Sequence, residues 1–207
     1  MLNLTKSAAE YFQKQLDLPQ DETEVILYGL QVIIYSLAGI LTICLMGWIL
    51  GCFWTTLAVA LTAGSLRLLS GGAHSSSPLI CNLIGMVMAP LLAKIAEFAA
   101  VQMNHSVLLC VVLLGAACSL LTFYLLAPVD SPAKPITTDQ ERRKFNRLSV
   151  ILAALITLGQ ITLLILGNSP AVVLAVSFGT WWQAFTLTKA GHRFTSIADH
   201  LFFKKEV

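Results

Sequence analysis

Six long apolar runs, separated by short polar segments, constrain what this chain can fold into more than any other feature. They cover residues 25–48, 53–69, 79–96, 107–127, 148–166 and 171–188. Each run is close to the 17–25 residues that a helix needs to cross a bilayer. Unpaired backbone groups are costly in lipid, so spans of this length form helices. The runs predict an all-α, polytopic membrane protein with six transmembrane helices.

The composition supports this class. The 207 residues are 57% hydrophobic and 12% charged, whereas a soluble domain has about 25% charged residues. The apolar excess must therefore face lipid as well as a core. A net charge of +2 gives no reason to expect a nucleic acid partner. The first 24 residues are polar and mixed in charge, without the apolar core of a removable signal peptide.

The basic residues predict the orientation of the spans. Six spans place both termini on one side of the membrane, and this arrangement puts twelve of the thirteen Lys and Arg residues on that same side. The exception is Lys94, at the far end of the third span. Basic loops stay inside the cell. We therefore expect a multi-pass protein of the cell membrane, with both termini and the loops at 67–78 and 128–147 in the cytoplasm.

The sequence divides into three segments: 1–24, 25–188 and 189–207. In the first, apolar residues recur at helical spacing; they are Leu4, Ala8, Tyr11, Phe12 and Leu16. This pattern is typical of an amphipathic helix on the inner leaflet, and the alternative is a frayed, partly helical terminus. The second segment holds the six spans. The third is a basic cytoplasmic tail, whose His192 and His200 we do not assign to a site.

The segment 67–81 between the second and third spans carries the candidate chemistry. Ionisable residues at a membrane are candidates for function by default. Ser77 suits a helix N-cap and Pro78 the first helical position, which puts Cys81 on the first turn of the third span. The helix dipole and the amide donors at such a position favour a thiolate over a thiol.

His74 precedes Cys81 by seven residues, about 10 Å along a continuous helix. The helix is interrupted, however, by glycines at 71 and 72 and by the polar run 75–78. A loop that folds back can bring the imidazole beside the sulfur as a base or an ion-pair partner. Arg67 could hold a substrate carboxylate or anchor this loop. The alternatives are an interfacial histidine and a cysteine that only packs.

Neither a cofactor nor a metal is expected from these residues. One histidine and one cysteine fall short of the three or four ligands that a zinc site needs. The other four cysteines are Cys44, Cys52, Cys110 and Cys118, which lie in spans or at the outer side and are predicted to pack. Cys81 alone lies beside a histidine on the cytoplasmic side, where a free thiol persists.

The pattern Arg67, Ser70-Gly-Gly-Ala-His74 and Cys81, followed by the proline-rich stretch 127–135, resembles the accessory gene regulator protein B (AgrB) family. These are polytopic cysteine endopeptidases of Gram-positive bacteria that process a quorum-sensing propeptide. The resemblance implies that His74 and Cys81 are the catalytic pair, and that Arg67 and Gly72 match the family's arginine and glycine. Ala73 and the serine run 75–77 depart from many relatives, which affects substrate preference more than chemistry.

The resemblance also implies a reaction and its partners. The enzyme would cleave the carboxy-terminal tail of an amphipathic AgrD-like propeptide through a thioester on Cys81, and an internal cysteine or serine would then close a thiolactone or lactone. Partners would be the propeptide, the lipid bilayer and, by family analogy, a second copy in a homodimer. Two other classes stay open: a small membrane permease or export component without peptidase activity, and a scaffold with an incidental histidine and cysteine.

The loop at 128–147 is predicted to lie on the same face as the pair. Asp130 could orient the imidazole, by analogy with other thiol hydrolases. Lys134 could bind an acidic peptide tail or stabilise an oxyanion. The basic cluster at 142–147 is typical of an anchor at an anionic leaflet.

Overall fold

The computed structural model describes residues 2–16, 19–75, 77–130, 136–167 and 169–202. In this part of the chain there are eight α-helices: α1 Leu2–Leu16, α2 Gln20–Ile49, α3 Phe53–Ser70, α4 Pro78–Gln102, α5 His105–Leu126, α6 Asp139–Ile165, α7 Pro170–Leu187 and α8 Lys189–Phe202. Helices α2 to α7 are long and apolar enough to cross a membrane. The prediction of an all-α protein with six spans is confirmed.

The chain separates into two compact units, Met1–Thr42 and Ile43–Val207. In the first unit, α1 is a helix as the apolar spacing predicts. Its Tyr11 and Leu16 side chains are largely exposed, as expected for side chains that meet lipid. The position of α1 on the inner leaflet stays a prediction. The second unit contains the end of α2 and helices α3 to α8, and it holds the candidate site.

Helices α4 and α6 extend farthest beyond their apolar runs. Helix α6 begins at Asp139, nine residues before the predicted span, and its polar first turn is capped by Thr138, whose hydroxyl accepts a hydrogen bond from the Glu141 amide at 3.2 Å. Helix α4 continues to Gln102 past an ion pair of 3.0 Å between Lys94 and Glu97. Hydropathy finds the part of a helix that lies in lipid, whereas caps and charged turns decide where the helix ends.

Helix α7 is the centre of the second unit. It packs against α3, α4, α5, α6 and α8, and more than half of its residues are buried. Its glycine at 179 brings it close to α3: a β-carbon there would lie 2.7 Å from the carbonyl oxygen of Val59. Small residues allow this close backbone approach between helices in membranes. Helix α7 is therefore a rigid support for the loops at its end.

The candidate site lies at one end of this unit. Asn146 near the start of α6 donates its side-chain amide to the carbonyl oxygens of Ala127 at 2.7 Å and Tyr124 at 3.0 Å, which caps the end of α5. The same end holds Arg67 and the basic residues of α6 and α8. At the opposite end, Thr55 donates to Glu97 at 2.8 Å. The uneven charge distribution agrees with the predicted orientation, and the cytoplasmic location of the basic end stays a prediction.

Candidate active site

The chain reverses after α3 through two glycines. Gly71 and Gly72 have φ angles of 65° and 132°, a region that side chains other than glycine rarely adopt. The Gly71 amide donates to the carbonyl oxygen of Arg67 at 3.0 Å and ends α3. From α7, the buried amide of Gln183 donates to the Gly71 carbonyl at 2.7 Å and to the Ser70 hydroxyl at 2.9 Å. This turn is thus fixed onto the central helix.

The next residue, Ala73, is held on both of its backbone polar groups. Its amide donates to the Thr186 carbonyl at the end of α7 at 2.9 Å. Its carbonyl accepts a hydrogen bond from the guanidinium of Arg67. Of the two roles considered for Arg67, anchoring of the loop is the one that this geometry displays. Gly72 permits the close approach, because a β-carbon there would lie 2.7 Å from the Thr186 hydroxyl oxygen.

Cys81 lies at the start of α4. Ser77 occupies the N-cap position and Pro78 is the first helical residue, as the sequence predicts, although the Ser77 side chain makes no capping bond. The Cys81 amide donates to the Ser77 carbonyl at 3.1 Å. Its side chain is half-buried, so that a reacting group has access while the backbone beneath it is held by the helix.

The electrostatics of the loop connect His74 to Cys81. Arg67 interacts electrostatically with Cys81 and also with His74. Partial burial by protein atoms, the positive charge of Arg67 and a contribution from His192 lower the pKa of His74 below its ordinary value of 6.5. The imidazole is therefore neutral near pH 7 and able to accept a proton. The neutral base His74 and the half-buried Cys81 thus both interact electrostatically with Arg67.

The second inner loop is joined to the first by backbone contacts. The Val129 amide donates to the Ser70 carbonyl at 2.9 Å, and Val129 forms an isolated parallel bridge with Gly71. The next residue, Asp130, makes an exposed ion pair of 2.8 Å with Arg142. Its predicted role of orienting the imidazole stays a prediction. Lys134 lies outside the described residues.

Helix α8 contributes to the site in a way that the sequence analysis missed. The hydroxyl of Ser75, next to His74, donates to the carboxylate of Asp199 on α8. His192 on the same helix lies near enough to His74 to affect its pKa. A signal was present in the sequence: Phe194, Ile197, Ala198 and Leu201 recur at helical spacing. Hydropathy alone does not find so short an amphipathic helix.

In the part of the chain that the structure covers, no three His, Cys, Asp or Glu side chains come together as metal ligands. The five cysteines are free thiols. Cys52 is buried and lies 3.4 Å from the Thr56 hydroxyl, while Cys110 and Cys118 are exposed on α5. The thiol at Cys81 differs from these because it interacts electrostatically with Arg67, which also acts on His74.

The glycine turn supports one prediction. Replacement of Gly71 by alanine is expected to destabilise the protein by about 1–3 kcal/mol, since φ is positive there and the new β-carbon would overlap the Val129 carbonyl oxygen. Thermal unfolding in detergent micelles measures the change as a lower midpoint. Gly64→Ala in α3 is the control, because a β-carbon there meets open space. An unchanged midpoint for Gly71→Ala would show that the turn tolerates a side chain.

Comparison with known proteins gives a consistent result. The family model for Accessory gene regulator B (AgrB) matches residues 5–187. A protein of Clostridium perfringens strain 13 named AgrB-like protein 2 is 30% identical over 202 residues, which covers 92% of each chain. An AgrB-like protein of C. perfringens strain SM101 is 28% identical over the same coverage. A protein of Listeria innocua with an AgrB-like name is 28% identical over 130 residues, 63% of this chain and 61% of its own. No solved structure matches the chain significantly.

Proposed function

This chain belongs to the accessory gene regulator B family, and from that premise we propose that it is a membrane cysteine endopeptidase of a quorum-sensing system. Its substrate is an amphipathic AgrD-like propeptide, from which it removes the carboxy-terminal tail. The observation that carries the proposal is the shared arginine: Arg67 holds the loop of His74 through Ala73 and interacts with both His74 and Cys81. Such an arrangement suits a cysteine nucleophile with a histidine base.

The reaction begins with proton transfer. The sulfur of Cys81 attacks the scissile carbonyl carbon while its proton passes to the neutral imidazole of His74. A tetrahedral intermediate forms and collapses, which breaks the carbon–nitrogen bond. His74 then returns the proton to the leaving amine, and the tail departs. The remaining part of the propeptide is bound to Cys81 as a thioester.

The second half of the reaction releases a ring. An internal thiol or hydroxyl of the bound peptide attacks the thioester carbonyl, and its proton returns to the Cys81 sulfur as the carbon–sulfur bond breaks. The products are a thiolactone or lactone and the free enzyme. Exclusion of water favours cyclisation over hydrolysis, and a site at a membrane face provides this condition.

The charge distribution supports a cytoplasmic location for the site. Both termini and the two inner loops lie in the cytoplasm, because the basic residues of α6 and α8 share the end of the molecule that holds Cys81. The segment 1–24 lies on the inner leaflet, 25–188 forms the peptidase, and 189–207 continues into the cytoplasm. A homodimer is part of the proposal by family analogy. Gly72 permits the path of the loop that carries His74, and the roles of Asp130 and Lys134 stay predictions.

The alternative of a permease has less support. Transport sites usually lie at broken helices near the middle of the membrane, whereas α3 to α7 are each continuous over their described residues. One buried polar pair within the spans has its hydrogen bonds made inside the protein. The Gln160 amide donates to the Ser177 hydroxyl at 2.6 Å and to the Val173 carbonyl at 3.0 Å. These side chains are engaged in helix packing.

The test is reconstitution of the full chain in vesicles of phosphatidylglycerol and phosphatidylcholine. The probe is a synthetic copy of a short amphipathic peptide with a central cysteine or serine and an acidic tail, encoded beside the gene for this chain. Mass spectrometry should detect the free tail and an adduct on the peptide that contains Cys81, removable by hydroxylamine as a thioester is. An intact probe beside correctly folded protein would contradict the proposal.

A further inference from the structure

The hydroxyl of Ser75 joins three parts of the site. It donates to the carboxylate of Asp199 on α8 and accepts a hydrogen bond from the Ser77 amide at 3.2 Å. Ser77 is the N-cap of α4, and its carbonyl accepts from the amide of Cys81 at 3.1 Å. Ser75 also follows His74 directly in the chain. One side chain thus connects the loop of the base, the helix of the thiol and α8.

Helix α8 is firmly placed at this point. The chain turns at Thr188, whose hydroxyl accepts from the Gly191 amide at 3.2 Å and whose carbonyl accepts from the His192 amide at 3.1 Å. A β-carbon at Gly191 would overlap the Phe185 carbonyl oxygen, so the backbone of α8 lies directly on the end of α7. Helix α8 is a fixed element of this end of the molecule.

Aromatic side chains add to this contact. The ring of Phe194 on α8 packs at 5.8 Å from Trp182 and 6.1 Å from Phe185, both on α7. Such pairs stabilise beyond the apolar area they bury. Because α7 also holds the Gly71 turn, α7 fixes α8 and the loop of His74 relative to each other.

The two polar residues of α8 that reach the loop are seven positions apart. His192 and Asp199 therefore lie on the same side of the helix, two turns from each other. His192 acts on His74 through its charge, and Asp199 binds Ser75 directly. The match to the family model ends at residue 187, before α8 begins, so these contacts are additional to the features on which that match rests.

We propose that Asp199 is a positioning residue of the active site: it orients the Ser75 hydroxyl, which holds the His74 loop against the start of α4. The inference rests on the proposed function for its meaning in catalysis. A hydrogen bond to a carboxylate is stronger than one between neutral groups. Without it, the Ser75 hydroxyl keeps only the hydrogen bond from the Ser77 amide, and the loop of His74 is held less firmly against the start of α4.

Asp199→Ala, which removes the hydrogen bond from Ser75, is expected to reduce kcat for tail release by about ten-fold or more, the effect of one charge-assisted hydrogen bond. KM is expected to stay within about two-fold, because the contact acts on the geometry of the pair and not on substrate binding. Asp199→Asn should recover part of the rate, since its amide oxygen still accepts from Ser75 through a weaker, neutral hydrogen bond. Ser75→Ala should also lower kcat, and the loss in the double variant should be smaller than the product of the two single losses.

A second measurement needs no propeptide. The rate at which iodoacetamide alkylates Cys81 is followed from about pH 5 to about pH 9, the range in which histidine titrates, by mass spectrometry of the peptide that contains Cys81. Asp199→Ala should change the profile toward that of His74→Ala. A contact that only stabilises the fold would leave the profile of the folded fraction unchanged. His200→Ala, an exposed neighbour on α8, is the control and should match wild type.

The outcomes separate the two ideas. Wild-type kcat and an unchanged alkylation profile in Asp199→Ala would overturn the positioning role, and so would Asp199→Asn failing as badly as Asp199→Ala. If Asp199→Ala does not fold, Ser75→Ala, which leaves α8 intact, decides in its place. If wild type does not cleave the probe while the Cys81 profile still depends on Asp199, the proposed function fails and the positioning role stands.

Discussion

Replacement of Cys81 by alanine is expected to abolish release of the propeptide tail, a loss of about 10⁴-fold or more in kcat, as when a protease loses its nucleophile. In the proposed reaction the thiol of Cys81 forms the covalent intermediate. Cys81→Ser is expected to fail as well, because a hydroxyl is a poorer nucleophile than a thiol at neutral pH. Mass spectrometry of the tail and of the acyl adduct measures both losses in reconstituted vesicles.

The control for this prediction is a second thiol. Cys110 is exposed on α5, away from His74, and Cys110→Ala should cleave as wild type does. This comparison separates a specific role of Cys81 from any general effect of removing a thiol. Tail release by Cys81→Ala at the wild-type rate would exclude the thioester route, and transport or scaffolding would then be the functions to test.

Replacement of His74 by alanine is expected to slow tail release by about 10²- to 10⁴-fold, the usual contribution of a general base. The smaller loss than for Cys81 has a physical reason: some thiolate forms without the base, so that a slow reaction remains. The rate of His74→Ala should rise with pH as more thiol ionises. His105, exposed at the start of α5, gives the control His105→Ala, which should keep wild-type activity.

The pH dependence of wild type follows from the lowered pKa of His74. Below that pKa the imidazole is protonated and cannot accept the thiol proton, so kcat/KM rises with pH through a value below 6.5. His192→Gln removes one of the nearby positive charges and should raise the pKa of His74, which moves the acid limb of the profile upward. An acid limb unchanged in His192→Gln would show that His192 does not act on the base.

The spans were predictable because the bilayer imposes them. Lipid requires about 20 apolar residues in a helix, and each of the six runs meets this requirement without help from the rest of the protein. The start of α4 was predictable for a local reason, since Ser77 and Pro78 are favoured at the cap and the first position. The spans and the start of α4 each depend only on residues that are close together in the sequence.

The rest of the site depends on residues far apart in the chain. Ser75 and Asp199 are separated by 124 positions, and no spacing rule connects them. The charged segment 139–147 forms the first turns of α6, whereas hydropathy predicts a loop there. Only the fold distinguishes between the two roles considered for Arg67, because the partner of its guanidinium is the backbone carbonyl of Ala73. Tertiary contacts therefore supply what periodicity and capping cannot.

The frame of the two inner loops is made largely of main-chain atoms. The amides of Gly71, Ala73 and Val129 bind the carbonyls of Arg67, Thr186 and Ser70, and a main-chain bond is available to almost any residue type. Side chains around the frame can therefore diverge between lineages while the frame persists. On the proposed function, relatives with about 30% identity can share this main-chain frame while the peptides that they recognise differ.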